Sequence, residues 1–150
     1  MSQTAGEHKV VATSSDSRRP AGGALNIALW ISQGFIFVAF VTFGVMKLFM
    51  PVKTLAAMWI WPGQVPLWFL HLMGILDAAG GIGVFLPALT RIAPRLTVIA
   101  ALCCVLLQIA AIIFHASRGE FVALPINIVL LALVSFIFWG RRKIPILPRA

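Results

Sequence analysis

The sequence predicts an all-α integral membrane protein: a bundle of four transmembrane helices with a short interfacial helix in the first outer loop. Three observations lead there. The hydrophobic fraction is 61% and the mean hydropathy is +1.00, well above the roughly 45–50% apolar content of soluble domains. The apolar residues form four continuous runs and do not alternate, which favours helices over a barrel. Each run can cross a hydrocarbon core of roughly 30 Å at about 1.5 Å per residue.

The elements follow in order along the chain. Residues 1–23, rich in Ser, Thr, Gly and charge, read as a disordered cytoplasmic tail. They are not a secretory signal, because the apolar run starts late and is too long for one. The first span is Leu25–Met50, stopped by Pro51. In the loop that follows, Val52, Leu55, Ala56 and Trp59 stand at i, i+3, i+4 and i+7. That stripe predicts a short helix lying in the outer interface, as an anchor or as a lid over whatever lies below. Pro62, Gly63 and Pro66 lead into the second span, Pro66–Ala88. Pro94 opens the third, Arg95–Ala116. The fourth, Phe121–Gly140, runs into Arg141, Arg142 and Lys143. Residues 143–150 form a short cytoplasmic tail, so the membrane domain covers about residues 24–142.

The net charge of +8 raises the question of nucleic acid, and its distribution answers no. With both termini inside, the inner face holds nine basic residues: Lys9, Arg18, Arg19, Arg91, Arg95, Arg141, Arg142, Lys143 and Arg149. The outer face holds three, Lys47, Lys53 and Arg118. Nine against three is a positive-inside bias, so these residues set topology and meet anionic lipid. Trp30 and Trp139 fall near the inner interface, and Trp59, Trp61 and Trp68 near the outer one, as an aromatic belt.

Two familiar chemistries fail on spacing. Cys103 and Cys104 are adjacent on one helix and point about 100° apart, which disfavours a disulfide between them. Gly80-Gly81-Ile82-Gly83 lies inside an apolar helix with no strand before it, so it is no phosphate loop. Gly74 with Ala78, and Ala79 with Gly83, are instead small-residue pairs that admit a neighbouring helix. No metal-ligand spacing occurs, and no cofactor is identifiable.

What remains is a polar set in the outer half of the bundle. Counting depth along each span places Lys47, His71, Asp77, His115 and Asn127 there as a candidate polar pocket, with Arg118 and Glu120 in the outer loop above. Gln108 and His115 share a helix face with Cys104. The inner half reads as almost purely apolar. A charge at mid-bilayer costs roughly 2.5–3.5 kcal/mol, so Asp77 must be protonated, paired or wetted. Lys47 and His71 are its candidate partners. Helix-to-helix hydrogen bonding that merely fixes the bundle is the plain alternative for the whole set.

These residues also carry a resemblance. Phe43-Gly44-Val45-Met46-Lys47-Leu48, Gly74-Ile75-Leu76-Asp77-Ala78-Ala79-Gly80, Gly83-Val84-Phe85-Leu86-Pro87-Ala88-Leu89, Phe114-His115-Ala116-Ser117-Arg118-Gly119-Glu120 and Asn127 stand in this order over about residues 25–142. The set resembles the DoxX-like family. The acidic position of span two often looks like Glu in that family, where this chain has the shorter Asp77. The resemblance implies a small four-helix protein of the bacterial inner membrane, linked to sulfur and quinone redox complexes and to oxidative-stress assemblies.

Three functions compete on these grounds. The expected one is a non-enzymatic subunit or assembly partner of a membrane redox or stress-response complex, in which oligomers could form. The second is a quinone-binding redox component, with Lys47, Asp77 and His115 on the headgroup. The third is a small proton-coupled transporter that uses Asp77, which the apolar inner half opposes.

Overall fold

A computed structural model describes residues 20–148 of the chain. Most of the tail read from residues 1–23 therefore lies outside the described residues, as do Arg149 and Ala150. Five α-helices follow one another: α1 (Pro20–Phe49), α2 (Val52–Met58), α3 (Leu67–Thr90), α4 (Arg95–Ser117) and α5 (Leu124–Lys143). Single 3-10 turns at Trp61–Gln64 and Phe121–Ala123 complete the order. Four of these helices are long and apolar enough to cross a membrane.

Proline punctuates the starts, as its fixed φ and missing N–H allow. Pro51, Pro66 and Pro94 stand just before α2, α3 and α4. Pro125 lies in the first turn of α5, so it opens that helix and does not kink it. The fourth apolar run becomes α-helical only from Leu124 because residues 121–123 wind as a 3-10 turn.

The four long helices close into a ring. α1 packs on α3 and α5, and α4 packs on α3 and α5. Each helix contributes a narrow buried stripe. On α3 it is Leu70, Gly74, Asp77, Gly81, Val84 and Ala88, and on α4 it is Thr97, Ala101, Cys104, Gln108 and His115. Ile36, Phe40, Val84, Cys104, Val134 and Ile137 form the central core. Only 17% to 28% of each membrane-spanning stretch is buried inside the protein. The rest of that apolar surface needs lipid or another helix as its solvent.

The glycine-bearing pairs sit at helix crossings. A Cβ on Gly44 would lie 2.7 Å from the Gly74 carbonyl oxygen and 2.8 Å from the Ala78 nitrogen. The backbones of α1 and α3 therefore touch, which only glycine permits here. Gly83 likewise meets Ala100 of α4.

Both ends of the chain's described part lie at one end of the bundle, with the Arg91–Pro94 loop. That is the termini end. α2, the Trp61–Gln64 turn and residues 118–123 lie at the opposite, far end. α2 buries Leu55 completely and leaves Lys53, Ala57 and Met58 exposed, which is the amphipathic division its sequence predicts.

Candidate functional site

At the far end the chain brings five ionisable residues of the predicted set together in two groups. Lys47 Nζ and Asp77 Oδ2 form a hydrogen-bonded ion pair between α1 and α3. Lys47 is the last basic residue of α1, and Asp77 belongs to the buried stripe of α3. The Gly44–Gly74 contact, one turn earlier in sequence than each of the two, brings the two backbones close enough for the side chains to meet. Of the two partners the sequence offers Asp77, the structure joins Lys47. His71 lies six residues before Asp77, about 120° away around the helix. It is half-buried and makes no side-chain hydrogen bond among the described residues.

The second group is built by the end of α4. Gly119 takes φ +71. Its N–H donates to Ala116 O at 3.2 Å, and the Glu120 N–H donates to His115 O at 2.9 Å. This is a Schellman ending, which requires the left-handed residue that glycine supplies. It folds the chain back so that Glu120 Oε2 lies 2.7 Å from His115 Nδ1. Arg118 Nε donates to Glu120 Oε1 at 3.0 Å. Burial by itself would raise the Glu120 pKa, but the hydrogen bonds from His115 and Arg118 and the Arg118 charge outweigh it and hold the carboxyl below its ordinary value. An ionised Glu120 only accepts, so His115 Nδ1 carries the hydrogen between them.

Trp61 joins the two groups. Lys47 Nζ lies over its ring, 5.7 Å from the centroid. The His115 ring stands edge-on to it at 6.4 Å, and Phe114 at 6.0 Å. The turn that carries Trp61 is tied down by a hydrogen bond from Arg118 to Gln64. Trp61 is 8% exposed and packs with Leu55 and Leu70. The aromatic-belt reading fits Trp68, which is 67% exposed, but not Trp61, which folds inward as a cover. A belt position and a cover position differ only in which way a loop folds, and composition does not encode that. Asn127 stays outside the set, because its amide donates to Ala123 O of its own first turn at 2.6 Å. Among the described residues no three of His, Cys, Asp and Glu gather closely enough to hold a metal ion.

The termini half is not purely apolar, contrary to the sequence expectation. Gln33 is wholly buried and donates to Val84 O at 2.7 Å. Arg141, 3% exposed, donates to Gln33 Oε1 at 2.7 Å and to Asn26 Oδ1 at 2.8 Å. Its guanidinium also lies 5.0 Å from the centre of the Trp30 ring. The signal was present in the sequence. Asn26 and Gln33 are seven apart on one helix face, and Arg141 is the first of three basic residues. A basic run at a helix end has the same sequence pattern whether it sets topology or, as Arg141 does, turns one side chain inward.

No curated protein and no solved structure matches the chain. A family model does, over residues 31–137, a stretch that contains α2, α3 and α4, the larger part of α1 and α5, the Lys47–Asp77 pair, Trp61 and the His115–Glu120 turn. With most of its length matched to that one model, the chain belongs to the DoxX-like family.

Proposed function

We propose that this protein is a non-enzymatic subunit or assembly partner of a membrane redox or stress-response complex. One observation supports this above others: the far-end charges satisfy one another. Lys47 is held by Asp77, and Glu120 is held by His115 and Arg118. Trp61 covers the space between the groups. A set closed in this way orders a bundle, since each member removes the cost of burying another. Meanwhile large apolar side chains such as Ile31, Val38, Ile99, Leu106 and Ile113 face outward, where partner helices would pack. The redox or stress setting rests on the family alone. The positive-inside count supports an inner-membrane protein with both termini in the cytoplasm.

Quinone binding would use Lys47, Asp77 and His115, and would require Trp61 to withdraw. Proton-coupled transport through Asp77 would require its pair with Lys47 to open. Native mass spectrometry with lipid extraction, on protein gently purified from its own membrane, separates these readings. A co-purifying protein without a small molecule supports the assembly role. A quinone held by the wild type and lost in Asp77→Asn and His115→Ala overturns it in favour of a redox site.

A further inference from the structure

A second site is visible at the termini end, apart from the far-end set. A cavity of about 480 Å³ lies between the start of α4, Arg141 and the chain beyond α5. That volume far exceeds the roughly 30 Å³ of one water. Arg95, Thr97 and Arg141 line it together with Pro94, Ile146 and Leu147. Thr97 and Arg141 are 1% and 3% exposed, and each carries a buried polar atom with no partner among the described residues: Thr97 Oγ1 and Arg141 Nη2.

Among the described residues the charge at this place is also unmatched. Arg141 is held by two neutral amides and one indole ring. The chain has four acidic residues. Asp77 and Glu120 are engaged at the far end, and Glu7 and Asp16 lie outside the described residues. A buried guanidinium held in a fixed orientation, with a donor to spare, is the arrangement that recognises a phosphate or carboxylate. The start of α4 adds the positive end of a 23-residue helix whose first turn has no side-chain cap. Arg141 also lies two residues from the end of its candidate span, and the ends of a spanning helix reach the headgroup region.

We infer that this cavity binds a phosphate-bearing anion, with Arg141 and Arg95 on the phosphate oxygens and Thr97 donating its hydroxyl. Ile146, Leu147 and Pro94 give the cavity an apolar wall, which suits the glycerol and first carbons of a phospholipid. A soluble phosphate would use the same cations.

The test uses the full chain in detergent, with dioleoylphosphatidylglycerol, dioleoylglycerol and inorganic phosphate as probes. Binding is read by native mass spectrometry and by the shift in thermal unfolding. Thr97→Val keeps the shape and removes only the hydroxyl. Arg95→Gln removes a lining charge, and Arg91→Gln removes an exposed charge of the same end outside the cavity. About tenfold weaker phosphatidylglycerol binding in Thr97→Val and Arg95→Gln, with Arg91→Gln unchanged and dioleoylglycerol not retained, supports a lipid phosphate. Inorganic phosphate bound with the same variant pattern supports the site with a soluble source. Equal weakening in all three variants, or binding that none of them alters, overturns the inference.

Discussion

Lys47 of α1 and Asp77 of α3, 30 residues apart in the chain, meet as an ion pair at a helix crossing where two glycines let the backbones touch. Removing one partner leaves the other charge buried and uncompensated. Lys47→Met and Asp77→Leu are each expected to cost roughly 3 kcal/mol, at the low end of the range for buried pairs because both side chains keep a little exposure. The double variant should recover most of the loss. Denaturant unfolding in detergent, run as a double-mutant cycle, measures the coupling. Additive losses would mean that the pair contributes nothing.

Two glycines of α1 should respond in opposite ways. Gly44→Ala places a methyl against the backbone of α3, which cannot swing aside, and should cost roughly 1–3 kcal/mol. Gly34 has nothing within 4 Å of an added Cβ. Gly34→Ala should be stabilising by roughly 0.5–1 kcal/mol through helix propensity alone. Thermal unfolding of the two variants side by side decides this. A like effect in both would refute the close α1–α3 contact.

Trp61 and Trp68 stand seven residues apart and differ in what they cover. Trp61→Ala should open the far-end set and cost roughly 3–5 kcal/mol, as for other buried aromatic truncations. Trp68→Ala, at an exposed position, should cost under about 1 kcal/mol. Equal losses on unfolding would return Trp61 to the interfacial belt.

The far-end closure should loosen in acid. The folded-state pKa of Glu120 lies below its ordinary 4.5, so the carboxylate contributes stability that is fully present above about pH 4.5. That contribution is lost as pH falls through the lower folded value. Protonation removes the negative charge, weakens the hydrogen bonds from His115 and Arg118, and loosens the segment tied to Gln64. Trp61 fluorescence, taken as the difference between wild type and Trp61→Phe, should change in that acid window. Glu120→Gln should lack the transition. A transition centred above pH 4.5 would contradict the assignment.

Lys53 and Ala57 lie on the exposed face of α2. With cytoplasmic termini, Lys53→Cys and Ala57→Cys should both react with an impermeant thiol reagent in intact cells. Failure of both to react would reverse the orientation.

The sequence by itself determined the membrane class, the four spans, the prolines that start the helices and the amphipathic face of α2. All follow from composition, periodicity and backbone restrictions, which act within a few residues of their cause. The His115–Glu120 contact was within its reach too, because Gly119 ends α4 in a local turn. The tertiary structure alone decided the rest. It chose Lys47 over His71 for Asp77, because that choice depends on which faces of two distant helices oppose each other. It turned Trp61 inward, since a loop's fold depends on the surface it finds. It also placed Arg141 against Gln33 and Asn26, 108 and 115 residues away, converting a topology signal into a buried cation. Partner choice between helices is a property of ring order and rotation, and no single helix carries that information.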